Sequence, residues 1–100
     1  MPESADVVIL GGGAMGASVA YHLAKHGVTD VVLLEKESLA SGSTSKSAGG
    51  IRAQFADELN VKIALRSMAE LQALERGSGV GYKGDGHLFL VLPESDVGVF

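Results

Sequence analysis

Cysteine and tryptophan are absent from this chain of 100 residues, and proline occurs only twice. Without cysteine there is no disulfide, no thiolate metal site and no cysteine nucleophile, a usage that fits a reducing compartment. Basic residues are scarce as well: 8 Lys and Arg face 12 Asp and Glu, for a net charge of −4. No basic stripe offsets that excess, which argues against nucleic acid as the main partner. Apolar runs such as Val7 to Leu10 and Val31 to Leu34 are far too short to span a bilayer. The first residues, Met1-Pro2-Glu3-Ser4-Ala5-Asp6, lack the cationic start of a signal peptide and the arginines of a transit peptide. The expectation is a cytoplasmic chain with no transmembrane segment. Apolar content itself is not lacking: at 46% hydrophobic and 20% charged, the chain is too apolar for intrinsic disorder. It can bury a core, though a small one.

Glycine is in excess, at 14 residues, where average usage gives about 7 per hundred. The glycines cluster at Gly11 to Gly16, Gly42 to Gly50 and Gly77 to Gly86. Clustered glycine among apolar segments marks places where backbone must come close to something.

Asp6 to Leu10 is a short β-branched run that stops at glycine and reads as a strand buried on both faces. Ala17, Ala20, Leu23 and Ala24 recur at helical spacing within Ala14 to His26, and Gly27 is suited to end that helix. Asp30 to Leu34 repeats the buried-strand pattern. Strand, helix and strand within about 30 residues make a βαβ unit with parallel strands and a right-handed crossover. Ser38 to Gly50, rich in serine and glycine, has the composition of a linker. Asp57 can cap a longer helix through about Arg76, with Val61, Ala64, Leu65, Met68 and Leu71 on its apolar face. Gly77-Ser78-Gly79 is expected to break it. His87 to Leu92 reads as another strand before Pro93, and Glu94 to Phe100 as the start of a helix. The fold class is α/β.

Gly11-Gly12-Gly13-Ala14-Met15-Gly16 contains G-x-G-x-x-G between a strand and a helix, the context that gives this otherwise weak motif its meaning. Gly11 permits the tight turn, Gly13 lets backbone approach a pyrophosphate, and Gly16 lets the helix pack closely on the strand. Free N–H groups at the helix start, at Ala14 and Met15, then hold phosphate oxygens at the positive end of the helix dipole. Glu35, at the end of the second strand and beside Lys36, is placed to accept hydrogen bonds from ribose hydroxyls. Its charge repels a 2′-phosphate. An adenine dinucleotide is therefore expected, and the fingerprint alone leaves FAD and NAD open. The segment Leu39 to Arg52 tilts toward FAD. It offers small hydroxyls, bare backbone N–H groups and two cations with no acid between them, which suits a second clamp on the pyrophosphate and ribitol of a flavin.

Three stretches, VVILGGGAMGASVAYHLAKHG, LLEKESLASGSTSKSAGGIRAQF and GHLFLVL, carry a family resemblance. The chain resembles the N-terminal part of the FAD-dependent amine and amino-acid oxidoreductases of the D-amino-acid oxidase superfamily. Within it, sarcosine oxidase, dimethylglycine dehydrogenase and the β subunits of hetero-oligomeric sarcosine oxidase and L-proline dehydrogenase are most similar. The resemblance implies oxidation of a small amino-acid or amine substrate by hydride transfer to FAD, and other subunits as partners. It places Ser41, Ser43 and Thr44 along the pyrophosphate and ribitol, and Lys46, Ser47, Ala48, Gly49 and Gly50 near the isoalloxazine. Arg52 matches an arginine that pairs with the substrate carboxylate, a task suited to a guanidinium fork; an ordinary surface arginine is the alternative. Some dimethylglycine and sarcosine dehydrogenases carry a flavin-linked histidine where Lys46 stands, so lysine implies FAD held non-covalently or attached elsewhere. His22 and His26 lie one helical turn apart without a third ligand, and read as solvated histidines rather than a metal site.

The resemblance divides the chain into a Rossmann-type FAD-binding portion, residues 1–80, and the incomplete start of a substrate domain, residues 81–100. A complete enzyme of this kind is several times longer, so the isolated chain is expected to be catalytically silent and to bind FAD poorly. Two other functions compete with this one. An NAD-dependent dehydrogenase domain needs a third parallel strand soon after Glu35. A non-catalytic nucleotide-binding or scaffold subunit would dock a partner through its apolar helix face.

Overall fold

The computed structural model describes residues 3–88, which form β1 (Val7–Leu10), α1 (Ala14–Lys25), β2 (Val31–Leu34) and α2 (Glu58–Ser78). The chain divides into two compact units, Met1–Gly49 and Gly50–Phe100. Of the strand expected at His87 to Leu92, His87 and Leu88 have no regular structure. Its other residues, and the helix expected from Glu94, lie outside the described residues. No helix among the described residues is long and apolar enough to cross a membrane.

In the first unit, β-branched residues favour extended backbone at both strands. β1 and β2 pair in parallel, with Val7 opposite Val31 and Leu10 opposite Leu34. The Gly11 N–H donates to the Leu34 carbonyl at 2.8 Å, carrying the ladder one residue past β1. A parallel pair needs a crossover connection, and α1 supplies it. Gly13 is the N-cap of α1, in an extended conformation and without a side-chain cap. At the other end the Val28 N–H donates to Leu23 at 2.9 Å and the Gly27 N–H to Ala24 at 3.0 Å. With Gly27 at φ +83°, these are the paired bonds of a Schellman stop. The expected βαβ order is present, with Gly27 ending the helix.

Strand burial departs from the expectation. Only Ile9 is buried, while Val8 is 54% and Leu10 81% exposed, and β2 is half-buried throughout. α1 packs on one face of the pair, and no described element of this unit covers the other. Alternation along β1 is the period of a strand covered on a single face.

In the second unit Asp57 caps α2, its Oδ1 accepting from the Asn60 N–H at 2.9 Å. That bond is the main reason the Asp57 carboxyl sits below the ordinary aspartate range. Glu58 pairs with Lys62 one turn on, at 2.6 Å. Val61, Ala64, Met68 and Leu71 are half-buried, as a covered stripe requires, but Leu65 is 54% exposed. One residue past Ala64 turns about 100° around the helix axis, which takes Leu65 off that face.

α2 also runs through Gly77 and Ser78, where a break was expected, and stops at Gly79 in the left-handed conformation. One glycine costs a helix only about 1 kcal/mol, too little to end a 21-residue element on its own. A Cβ added at Gly77 would meet nothing within 4 Å. Gly77→Ala should therefore raise stability by about 0.5–1 kcal/mol, read as an upward shift of the denaturation midpoint. A loss of stability would contradict the helical placement.

Candidate functional site

After β1 the chain turns at Gly11, whose φ of +100° is a conformation that side chains with a Cβ avoid. The turn brings Gly16, in the first turn of α1, over the backbone it has just left. A Cβ on Gly16 would overlap the Gly11 carbonyl oxygen and reach Ile9 Cγ2 at 3.4 Å. A missing side chain is what lets α1 lie against β1.

The serine- and glycine-rich stretch after β2 is folded rather than a plain linker. Successive turns run through it: Ser41 N–H to Ser38 O at 3.1 Å, Ser45 to Ala40 at 3.0 Å, Lys46 to Ser43 at 3.2 Å and Ser47 to Thr44 at 3.3 Å. They set Thr44 against the start of α1, where its Oγ1 accepts from the Ala14 N–H at 3.0 Å. A Cβ on Gly13 would meet the same oxygen at 3.0 Å. A groove of about 550 Å³ lies here, walled by Leu10, Gly11, Gly13, Ala14, Met15 and Gly16 on one side and by Ser43, Thr44 and Ser47 on the other. The N–H groups of Met15 and Gly16 have no acceptor among the described residues. They stand at the positive end of the helix dipole, open to an anion.

Glu35 follows β2 and grips the glycine loop. Its Oε2 accepts from the Gly12 N–H at 2.7 Å and its Oε1 from the Glu37 N–H at 3.0 Å. These bonds, that from Gly12 first, hold the carboxyl below the ordinary glutamate range, so it is charged at neutral pH. Each oxygen keeps a further lone pair for a ribose hydroxyl.

The other expected residues are placed more loosely. Lys36 is exposed, 3.9 Å from Glu37, and Ser41 Oγ donates to Glu37 at 3.4 Å. Lys46, Ala48 and Gly49 are exposed and do not line the groove. Gly50 and Arg52 belong to the second unit, where the Arg52 guanidinium stands 5.7 Å from the centre of the Phe55 ring. His22 meets Tyr21 edge-on at 5.1 Å, and the described residues hold no cluster of three metal-ligating side chains. Residue patterns missed Leu10 in the groove wall and Gly12 as the partner of Glu35. The signal available was a third glycine where the motif demands only two in Gly11-Gly12-Gly13.

A parallel βαβ unit with a glycine turn, an open helix N-terminus and an acid after the second strand defines a Rossmann-type dinucleotide-binding fold. The model of the DAO family, FAD dependent oxidoreductase, matches residues 6–98, and the chain belongs to that family. It is 44% identical over 92 residues to the mitochondrial pyruvate dehydrogenase phosphatase regulatory subunit of Mus musculus, covering 90% of this chain and 10% of that protein. It is 42% identical over 101 residues to the mitochondrial dimethylglycine dehydrogenase of Rattus norvegicus, covering 98% of this chain and 12% of the relative. The crystal structure of L-proline dehydrogenase from P. horikoshii matches with a TM-score of 0.73 at 39% identity, over 77% of this chain and 20% of that one. The chain thus spans about a tenth of the length of each of these two curated relatives.

The residues present fit the ADP half of FAD. The groove has donors at Met15 and Gly16, hydroxyls at Ser43, Thr44 and Ser47, and the ionised Glu35 carboxylate on the adjoining Gly12.

Proposed function

We propose that this chain is the ADP-binding front of a flavoprotein that oxidises the C–N bond of an amino acid or secondary amine, of the sarcosine, proline or D-amino-acid type. The observation that carries this is the groove at the start of α1, faced by the hydroxyl-bearing turns that follow Glu35. In it Met15 and Gly16 hold pyrophosphate oxygens, Ser43 and Thr44 donate to them from across the groove, and Glu35 accepts from the ribose. When bound, the flavin supplies the hydride acceptor that turns the amine into an imine, which water then hydrolyses. Arg52 anchors the substrate carboxylate through two parallel hydrogen bonds. Residues 1–80 form the FAD-binding portion and residues 81–100 begin the substrate domain. With lysine at position 46, FAD is held without a covalent link at that residue.

The whole flavoprotein, stripped of flavin and titrated with FAD, should regain the visible flavin spectrum, and denaturation should release the flavin into solution. Calorimetry with NAD should show no comparable binding. Tight NAD binding without a flavin spectrum would favour a nicotinamide-dependent dehydrogenase instead.

A second reading, a non-catalytic subunit, is favoured by one observation: a relative at 44% identity is called a regulatory subunit. Co-purification of a fixed partner without flavin would support it, and amine-dependent reduction of bound flavin would exclude it.

A further inference from the structure

We propose that Glu35 positions the glycine loop for the phosphates in addition to recognising the ribose, so that one carboxylate serves both halves of the ADP site. This rests on the dinucleotide-binding function proposed above. Both backbone polar groups of Gly12 are held by the segment that follows β2. Its N–H donates to Glu35 Oε2 at 2.7 Å, and its carbonyl accepts from the Ala40 N–H at 2.9 Å. The second Glu35 oxygen takes the Glu37 N–H at 3.0 Å, which ties the carboxylate to the start of the same segment.

That segment is closed tightly on the loop. Gly12 is buried, and a Cβ there would meet Leu39 Cδ2 at 2.5 Å and Glu35 Cβ at 3.3 Å. Ala40 reaches Gly12 with φ at +62°, a left-handed conformation uncommon for a residue with a side chain. An alanine held there points to a backbone set by its partner, not by its own preference. The next residue after Gly12 is Gly13, the N-cap of α1. How the Gly12 backbone is held therefore sets the aim of the open N–H groups that follow at Met15 and Gly16. Release of the Gly12 N–H frees that aim even for a ligand that never touches Glu35.

Two probes separate the roles: ADP, and 2′,3′-dideoxy-ADP, which keeps the pyrophosphate but lacks both ribose hydroxyls. Each is titrated into the ¹⁵N-labelled chain and followed by NMR at the amides of Gly13 to Gly16. Glu35→Ala is expected to weaken 2′,3′-dideoxy-ADP by about tenfold, the size of one charge-assisted hydrogen bond, and ADP by more, because ADP also loses its ribose contact. Glu35→Gln, which keeps one acceptor oxygen, should weaken both by less. Amides in β1 and β2 should stay in place, so that affinity moves while the fold does not. If Glu35→Ala weakens ADP but leaves the dideoxy compound unchanged, the positioning role is overturned and the ADP site stands. If the unsubstituted chain binds neither compound, the ADP site falls and the positioning role with it. Should Glu35→Ala fail to fold, Glu35→Gln decides alone: weaker dideoxy binding upholds the role, and unchanged binding overturns it.

Discussion

Gly16→Ala is expected to destabilise the first unit by about 3 kcal/mol, enough to unfold a small βαβ element on its own. The added Cβ would overlap the Gly11 carbonyl oxygen. A backbone atom has no rotamer through which to escape, so relief requires α1 to lift from β1. That movement uncovers Ile9, the buried residue of the strand pair. Gly42→Ala is the matched control, because a Cβ at Gly42 meets nothing within 4 Å. It should stay within about 0.5 kcal/mol of the parent. Urea denaturation followed by circular dichroism measures both, and equal midpoints for the two variants would contradict the contact between α1 and β1.

Under the proposed role of Arg52 as anchor of a substrate carboxylate, Arg52→Lys carries the largest expected effect on catalysis in the whole flavoprotein. Lysine keeps the positive charge but loses the planar fork that donates two parallel hydrogen bonds to a carboxylate. KM for the amino-acid substrate should rise by about 10- to 100-fold, with kcat and the flavin spectrum little altered. Such a change is the signature of lost ground-state binding and not of lost chemistry. An unmoved KM would leave Arg52 as an exposed arginine stacked on Phe55, the contact the guanidinium makes at 5.7 Å.

The two predictions differ in how far the sequence alone could have led to them. Gly16 was legible in full, since its spacing from Gly11 and Gly13 already implies that the helix passes close to the strand. Asp57 and Gly27 were legible for the same kind of reason: a capping carboxylate and a left-handed glycine act within a few residues of their own position. Strand burial was not. A run such as Val-Val-Ile-Leu states that the backbone is extended, while what covers each face depends on elements distant in the chain. The turns from Ser38 to Ser47 were hidden for another reason. Their bonds run between backbone groups of small residues, and backbone bonding leaves no periodic pattern of side chains to read. The grip of Glu35 on Gly12 spans 23 residues and appears only once the parallel pairing has set β1 beside β2.

That grip also gives the protein an internal gauge. Gly12 is buried while its neighbours Gly11 and Gly13 are exposed or half-exposed, and its N–H is bound to a carboxylate. Its amide should exchange with deuterated solvent far more slowly than that of Gly13, because exchange there requires the local structure to open. The Glu35 carboxyl titrates below its ordinary value. Protection of that amide relative to its intrinsic exchange rate is therefore retained at neutral pH and lost as the pH falls through that lowered value. One glycine signal thus reports whether the loop is assembled before any cofactor arrives.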